Sequence, residues 1–311
     1  MKIAVMGAGA MGCLYGSDLA KGGNEVWMVD IWEEHVNKIK AEGLLMTTGE
    51  KKEHVKLNAT TDPKEVGAVD LLVIFTKGLH TEVAIKNSLP MIGEDTYVLT
   101  LQNGIGNVEI INQVVDEKKI LFGMTTLSSD LQGPGHIERT FHGRGLTQMK
   151  PLTSESNPQI EKVVESFNQS GIYTELSFEV EKKIWEKLIV NCCLNTVTAI
   201  TRLHCGHVVE QDSAKFLLEG VTKELVEVAN AKNIPLEYDY ALKHLTEVAW
   251  EAYNHYPSMV FDLKFKRKTE IDLIAGSIVR EGQKHDIPTP VNATLMSLIK
   301  IIENNYDNQL F

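Results

Sequence analysis

Apolar residues follow two different rhythms along this chain. In the first half they form short, strand-favouring runs: Lys2–Met6, Glu25–Val29, Leu71–Thr76, Tyr97–Leu101 and Ile120–Thr125. Each run is bounded by Gly, Asp, Asn or a charged turn, the punctuation expected at strand ends. Helical patterns lie between some of them, as at Met11–Lys21 and Glu33–Glu42. Strands alternating with helices predict a parallel sheet covered on both faces. Thr126–Lys150, rich in Gly, Ser and Thr, predicts further strands and turns, some antiparallel. After Glu179 the strand signals fade. Helical patterns run over about 179–200, 208–232, 237–256, 266–284 and 290–303, punctuated by Pro235, Pro257, Pro288 and Pro290. The expected organisation is an α/β domain over 1–178 and a mostly helical domain over 179–311.

The first strand runs into Gly7-Ala8-Gly9-Ala10-Met11-Gly12, a full G-x-G-x-x-G. The first glycine permits a tight turn. The second lets the backbone approach a pyrophosphate, and the third allows close packing of helix on strand. The phosphates would meet the free N–H groups and positive end of the following helix. Asp30 ends the next strand, 18 residues past Gly12, near the spacing of a ribose-binding acid. The fold class is therefore α/β, with a Rossmann-type N-terminal domain and a mostly α-helical C-terminal domain. A carboxylate at position 30 accepts hydrogen bonds from a ribose 2′-hydroxyl and repels a 2′-phosphate. Ile31, Trp32, Glu33 and Glu34 follow, with no cation to clamp a phosphate. The expected cofactor is NADH, with NADPH as the alternative.

A second motif lies in the helical half. Lys187, Asn191 and Asn195 are spaced i, i+4, i+8, which puts them on one helix face. From Leu188 to Leu194 every other residue is apolar or Cys, so this helix is expected to be buried. Three polar groups on a buried helix need partners. A lysine with a burial-lowered pKa can act as a general acid or stabilise a developing alkoxide. Either role suits the reduction of a carbonyl. Asparagine offers both a donor and an acceptor for a substrate hydroxyl.

Composition narrows the partners. The 311 residues carry 31 basic and 42 acidic side chains, a net charge of −11. That disfavours a general nucleic-acid binder, which needs a basic footprint. No run approaches the ~18 apolar residues of a membrane-spanning helix. Cys13, Cys192, Cys193 and Cys205 do not form a disulfide framework in a chain this long. Reduced thiols and the absence of a signal-peptide layout in Met1–Met6 make the cytoplasm the expected compartment. His204-Cys205-Gly206-His207 has no second ligand cluster beside it in sequence, so no metal is expected. Ser17, Ser128 and Ser129 lack the context of a hydrolase nucleophile.

Together these motifs resemble the ketopantoate reductase (2-dehydropantoate 2-reductase) family, whose C-terminal domain is of the 6-phosphogluconate dehydrogenase-like kind. The resemblance covers essentially the whole chain. It runs through Gly7–Gly12, Phe75-Thr76-Lys77, Leu101-Gln102-Asn103-Gly104-Ile105-Gly106, the Thr125–Ser129 loop and Trp185–Asn195. It ends at Ser258-Met259-x-x-Asp262 and Lys268-Thr269-Glu270-Ile271-Asp272. The resemblance implies that Lys77, Asn103 and Ser129 contact the cofactor. It implies that Lys187 is the proton donor, with Glu270 its acidic partner. Asn103, Asn191 and Asn195 would bind substrate, and Ser258 would hold the substrate carboxylate. The chain departs from the usual family pattern at Cys205-Gly206, at His255, at Pro257-Ser258-Met259, and in carrying Asp30 where many NADP-dependent members place Arg.

The implied activity is reduction of ketopantoate to (R)-pantoate, a step of pantothenate biosynthesis. The implied partner is a small 2-keto acid, with no nucleic acid or membrane; a homodimer is allowed for. Two other readings stay open. One is the same fold reducing a different small 2-keto acid, favoured by Cys205 and His255. The other is a non-catalytic NAD(H) redox-sensing module, disfavoured by the lysine stripe.

Overall fold

The computed structural model describes residues 1–140, 144–153 and 156–309. The chain groups into two units: Met1–Gln102 with Asn107–Val180, and Asn103–Gly106 with Glu181–Phe311. The first unit holds twelve described strands: β1 (Lys2–Met6), β2 (Glu25–Val29), β3 (Leu44–Thr48), β4 (Lys51–Val55), β5 (Asn58–Thr60), β6 (Leu71–Ile74), β7 (Tyr97–Thr100), β8 (Ile120–Thr125), β9 (Ser129–Gly133), β10 (His136–Arg139), β11 (Thr147–Pro151) and β12 (Thr174–Leu176). Its helices are α1 (Ala10–Lys21), α2 (Glu33–Glu42), α3 (Thr81–Asn87), α4 (Asn107–Asn112) and α5 (Pro158–Gln169).

The main sheet has the order β12-β11-β8-β7-β6-β1-β2-β5. From β5 to β8 all pairs are parallel, and β11 joins β8 antiparallel. Ile3, Ala4, Val5, Leu71–Ile74, Val98 and Leu99 are wholly buried, as strands covered on both faces require. The chain leaves β1 toward β2 on one side and returns to β6 on the other. That reversal is the topological switch point at which α/β sheets bind ligands.

A second sheet, in the order β4-β3-β10-β9, covers α1. The expected strands in Thr126–Lys150 are β9, β10 and β11; residues 141–143 of that segment lie outside the described residues. Sandwiched between sheets, α1 is buried from Gly12 to Leu19. Three of its buried side chains carry polar groups, and the Ser17 hydroxyl turns back onto Leu14 O within the helix at 2.9 Å. Asp18 meets Arg139 at 2.5 Å, and the Tyr15 hydroxyl lies 2.7 Å from Thr147 Oγ1. β3 and β4 form a hairpin absent from the sequence-based expectation. β4 is Lys-Lys-Glu-His-Val, a polar edge strand whose sequence carries little apolar signal.

The second unit is helical: α6 (Val180–Val190), a π-helical turn (Asn191–Asn195), α7 (Thr196–Thr201), α8 (Cys205–Val209), α9 (Asp212–Ala231), α10 (Tyr238–Glu251), α11 (Ser258–Lys264), α12 (Ala275–Lys284) and α13 (Pro290–Glu303). Trp185, Leu188, Ile189, Cys192, Cys193 and Leu194 form its core with Val221, Leu225, Leu245, Ile278 and Leu295. The burial expected for this apolar helix is therefore observed. All four cysteines are buried and free. Among the described residues no helix is long and apolar enough to cross a membrane.

The structure corrects three expected helices. The 266–284 pattern is helical only from Ala275. Lys266 sits at φ +52°, which stops α11, and the Thr269 N–H is held by Glu303 of α13 at 2.6 Å. Residues 270–274 form a turn in which Leu273 and Ile274 donate to the Glu270 carbonyl. The 237–256 pattern ends at Glu251, leaving His255 and Pro257 in a loop. The 208–232 pattern is split into α8 and α9.

Candidate active site

The expected site residues are distributed over both units. On the first, Gly7 adopts φ +101° and donates to Val29 O at 2.8 Å, locking the glycine loop onto β2. A Cβ on Gly7 would lie 2.6 Å from Thr76 N, and one on Gly12 would collide with the Gly7 carbonyl. Both positions require glycine for lack of space. Gly9 differs, because a Cβ there meets no protein atom within 4 Å. It caps α1 without a side-chain hydrogen bond. The first-turn N–H groups of a helix have no intrahelical partner, so this open ground suits an anion.

Asp30 is tied down on both oxygens. Oδ2 accepts from Ala8 N–H at 2.7 Å and Oδ1 from Trp32 N–H at 3.0 Å. Each oxygen keeps a lone pair for a ribose hydroxyl. Ile31 beside it is 90% exposed. Lys77 is half-buried just beyond β6, and buried Ser129 opens β9 with its hydroxyl 3.7 Å from Met11 Sδ. Thr76 Oγ1 is buried with no hydrogen-bond partner in the protein. An orphaned hydroxyl against the glycine loop, at the switch point, fits a bound dinucleotide that supplies its partner. Thr76 was not singled out in sequence, where a threonine after a strand carries no special signal.

On the second unit, Lys187 lies on α6, half-buried. Burial lowers its pKa to about 8, and the Glu270 carboxylate pulls it partly back up. Glu270 sits in the 270–274 turn, not on a helix, and that turn also receives the Asn103 loop. Ile105 N donates to Leu273 O at 3.2 Å, and Gly104 at φ +80° abuts the Leu273 carbonyl too closely for a side chain. The structure therefore gathers Lys187, Glu270 and the Asn103 segment on one unit.

The two asparagines meet directly. Asn195 Nδ2 donates to Asn191 Oδ1 at 3.2 Å. Asn195 is buried, and its Oδ1 accepts nothing from the protein. A buried unpaired acceptor costs about 1–3 kcal/mol, so a ligand donor there gains correspondingly. Ser258 is exposed as the first residue of α11, and α11 packs against the π turn and α7. Asp262, four residues on, is buried and faces Arg267 Nε at 3.2 Å. The π turn itself was not foreseen, since hydrophobic periodicity cannot distinguish it from α-helix over five residues.

Comparison with known proteins shows the family. The family described as "Ketopantoate reductase PanE/ApbA" matches residues 3–152, and its C-terminal counterpart matches 179–303. The chain belongs to the ketopantoate reductase family. A 2-dehydropantoate 2-reductase of Streptococcus pyogenes serotype M3 is 32% identical over 301 residues, 96% of this chain and 97% of that one. A D-mandelate dehydrogenase solved with NADH and anilino(oxo)acetate is 32% identical with a TM-score of 0.93, covering 99% of this chain and all of that one. A PanE/ApbA family ketopantoate reductase from Ralstonia eutropha JMP134 is 30% identical with a TM-score of 0.89, at the same coverage. The chain is thus a family oxidoreductase with an NAD(P)-binding Rossmann-like fold.

Proposed function

We propose that this ketopantoate reductase family member reduces a small 2-keto acid, ketopantoate in the first place, with NADH. The observation that carries the reading is Lys187, half-buried on an apolar helix, its pKa near 8, facing Glu270. A base or acid poised near the working pH transfers protons most effectively. A reduced nicotinamide, when bound, would supply hydride for the keto carbon. The Lys187 ammonium gives its proton to the carbonyl oxygen as charge develops there, and regains one from solvent. Glu270 keeps Lys187 in the charged form that can donate. Asn195 Oδ1 accepts from a substrate hydroxyl, and Asn191 orients the Asn195 amide. Ser258 binds the carboxylate. Gly7–Gly12, Thr76, Lys77 and Ser129 would hold the dinucleotide, Asn103 is assigned a cofactor contact as well, and Asp30 would select NADH. Such a reaction places the protein in pantothenate biosynthesis.

A second reading keeps the chemistry and changes the acid. Tyr256 and Phe261 stand on either side of Ser258 in the sequence. Tyr256 stacks on His204 at 3.9 Å between centroids and lies edge-on to Phe261 at 6.5 Å. These surroundings, with the likeness to a D-mandelate dehydrogenase, support a 2-keto acid bearing an aromatic side chain. One experiment separates the readings. Reduced-nicotinamide absorbance is followed with ketopantoate and with benzoylformate, each with NADH and with NADPH. A higher kcat/KM for ketopantoate with NADH supports the first reading. A higher value for benzoylformate replaces it with the second. Faster turnover with NADPH overturns the role given to Asp30, and no turnover with either acid overturns the enzyme reading.

A further inference from the structure

On an ordinary helix the polar stripe would spread across its face. On an α-helix each four-residue step advances the face by about 40°, so Lys187 and Asn195 would stand about 80° apart. An ideal π turn winds near 82° per residue, so four such steps from Asn191 would turn back and bring Asn195 within about 10° of Lys187. The π turn spans Asn191–Asn195 alone, and α-helix resumes at Thr196.

A π turn leaves carbonyls displaced from their usual i+4 donors, and two buried threonines take them up. The Thr196 hydroxyl bonds the Cys192 carbonyl and approaches the Cys193 carbonyl at 3.4 Å. The Thr198 hydroxyl bonds Leu194 O at 2.5 Å and approaches Asn195 O at 3.3 Å. Both residues are fully buried, so no water can substitute for these hydroxyls. Ordinary serine and threonine back-bonding bends helices slightly, and here it falls on consecutive carbonyls of the π turn.

We infer that Thr196 and Thr198 are positioning residues: their hydroxyls hold the π turn that brings Asn195 into line with Lys187. The inference rests on the reading of Lys187 and Asn195 as substrate-facing groups. Thr196→Val keeps the shape and removes the hydroxyl. It should lower kcat/KM on the order of tenfold while NADH affinity stays within twofold, because misplacement by a fraction of an ångström is costly to an oriented reaction. Thr196→Ser should restore activity, and Thr198→Val, which spares the Cys192 carbonyl, should give a smaller loss. In an Asn195→Ala background Thr196→Val should cost almost nothing further, because the effect passes through Asn195.

Wild-type kcat/KM in both valine variants overturns the inference. So does an undiminished loss in the Asn195→Ala background, which marks a purely structural role. If the wild type turns over no 2-keto acid, the functional reading fails separately. The side-chain amide resonances of Asn191 and Asn195 then decide. Movement in Thr196→Val supports the held turn, and unmoved resonances overturn it.

Discussion

The glycine loop and the lysine–asparagine stripe are built on opposite principles. The loop uses backbone. Its geometry follows from missing side chains at Gly7 and Gly12, and from one carboxylate, Asp30, pinned by two N–H groups. The stripe uses side chains. Its properties come from burial, from a neighbour 83 positions away in sequence at Glu270, and from an irregular helical turn. A backbone site survives wherever the local turn forms. A side-chain site exists only once the surrounding helices have packed.

The largest test of this contrast is Lys187→Ala. Turnover should fall about a thousandfold, in the range of losing a general acid, with NADH affinity by fluorescence titration within twofold of wild type. Matching losses in both would make Lys187 part of the fold and erase the division of labour. Gly9→Ala probes the other half. Its new methyl meets no protein atom, so the melting temperature should stay unchanged while NADH affinity drops at least tenfold through lost backbone approach. Unchanged affinity would mean that the open ground at Gly9 is not where the pyrophosphate lies.

Asp30→Arg sharpens the cofactor reading. It replaces a group that repels a 2′-phosphate with one that binds it, so the ratio of kcat/KM for NADH over NADPH should fall about tenfold or more. A constant ratio would assign the selection elsewhere.

The smallest effect is in the pH profile. Lys187 must be charged to donate, so kcat/KM should be highest below pH 8 and fall as pH rises through the depressed pKa of about 8. Glu270 raises that pKa; Glu270→Gln removes the opposing charge and should move the falling limb to lower pH. A limb that moves upward, or not at all, would remove Glu270 as the partner of Lys187.

Much of the fold was legible because local patterning and tertiary need coincided. β1, β2 and β8 run over the expected residues, since short apolar runs between turns have few alternatives. The glycine loop and Asp30 were legible for the same reason: strand, turn and helix are contiguous. β3 and β4 were not, because β4 is polar and the short run of β3 becomes a strand only through its pairing with β4 and β10. The turn at 270–274 was read as helix because Glu303, which captures the Thr269 N–H, lies 34 residues away. Glu270 read alone is one charge in a basic run; only packing places it by Lys187.

By itself, the sequence determined the two-part organisation, the dinucleotide loop and the helix that carries Lys187, Asn191 and Asn195, because each is encoded by spacing within a few turns of chain. Tertiary structure alone decided the pKa of that lysine, the orphaned acceptor on Asn195 and hydroxyl on Thr76, and the π turn under the stripe. Those depend on desolvation and on hydrogen-bond partners that do not exist until distant elements close around them.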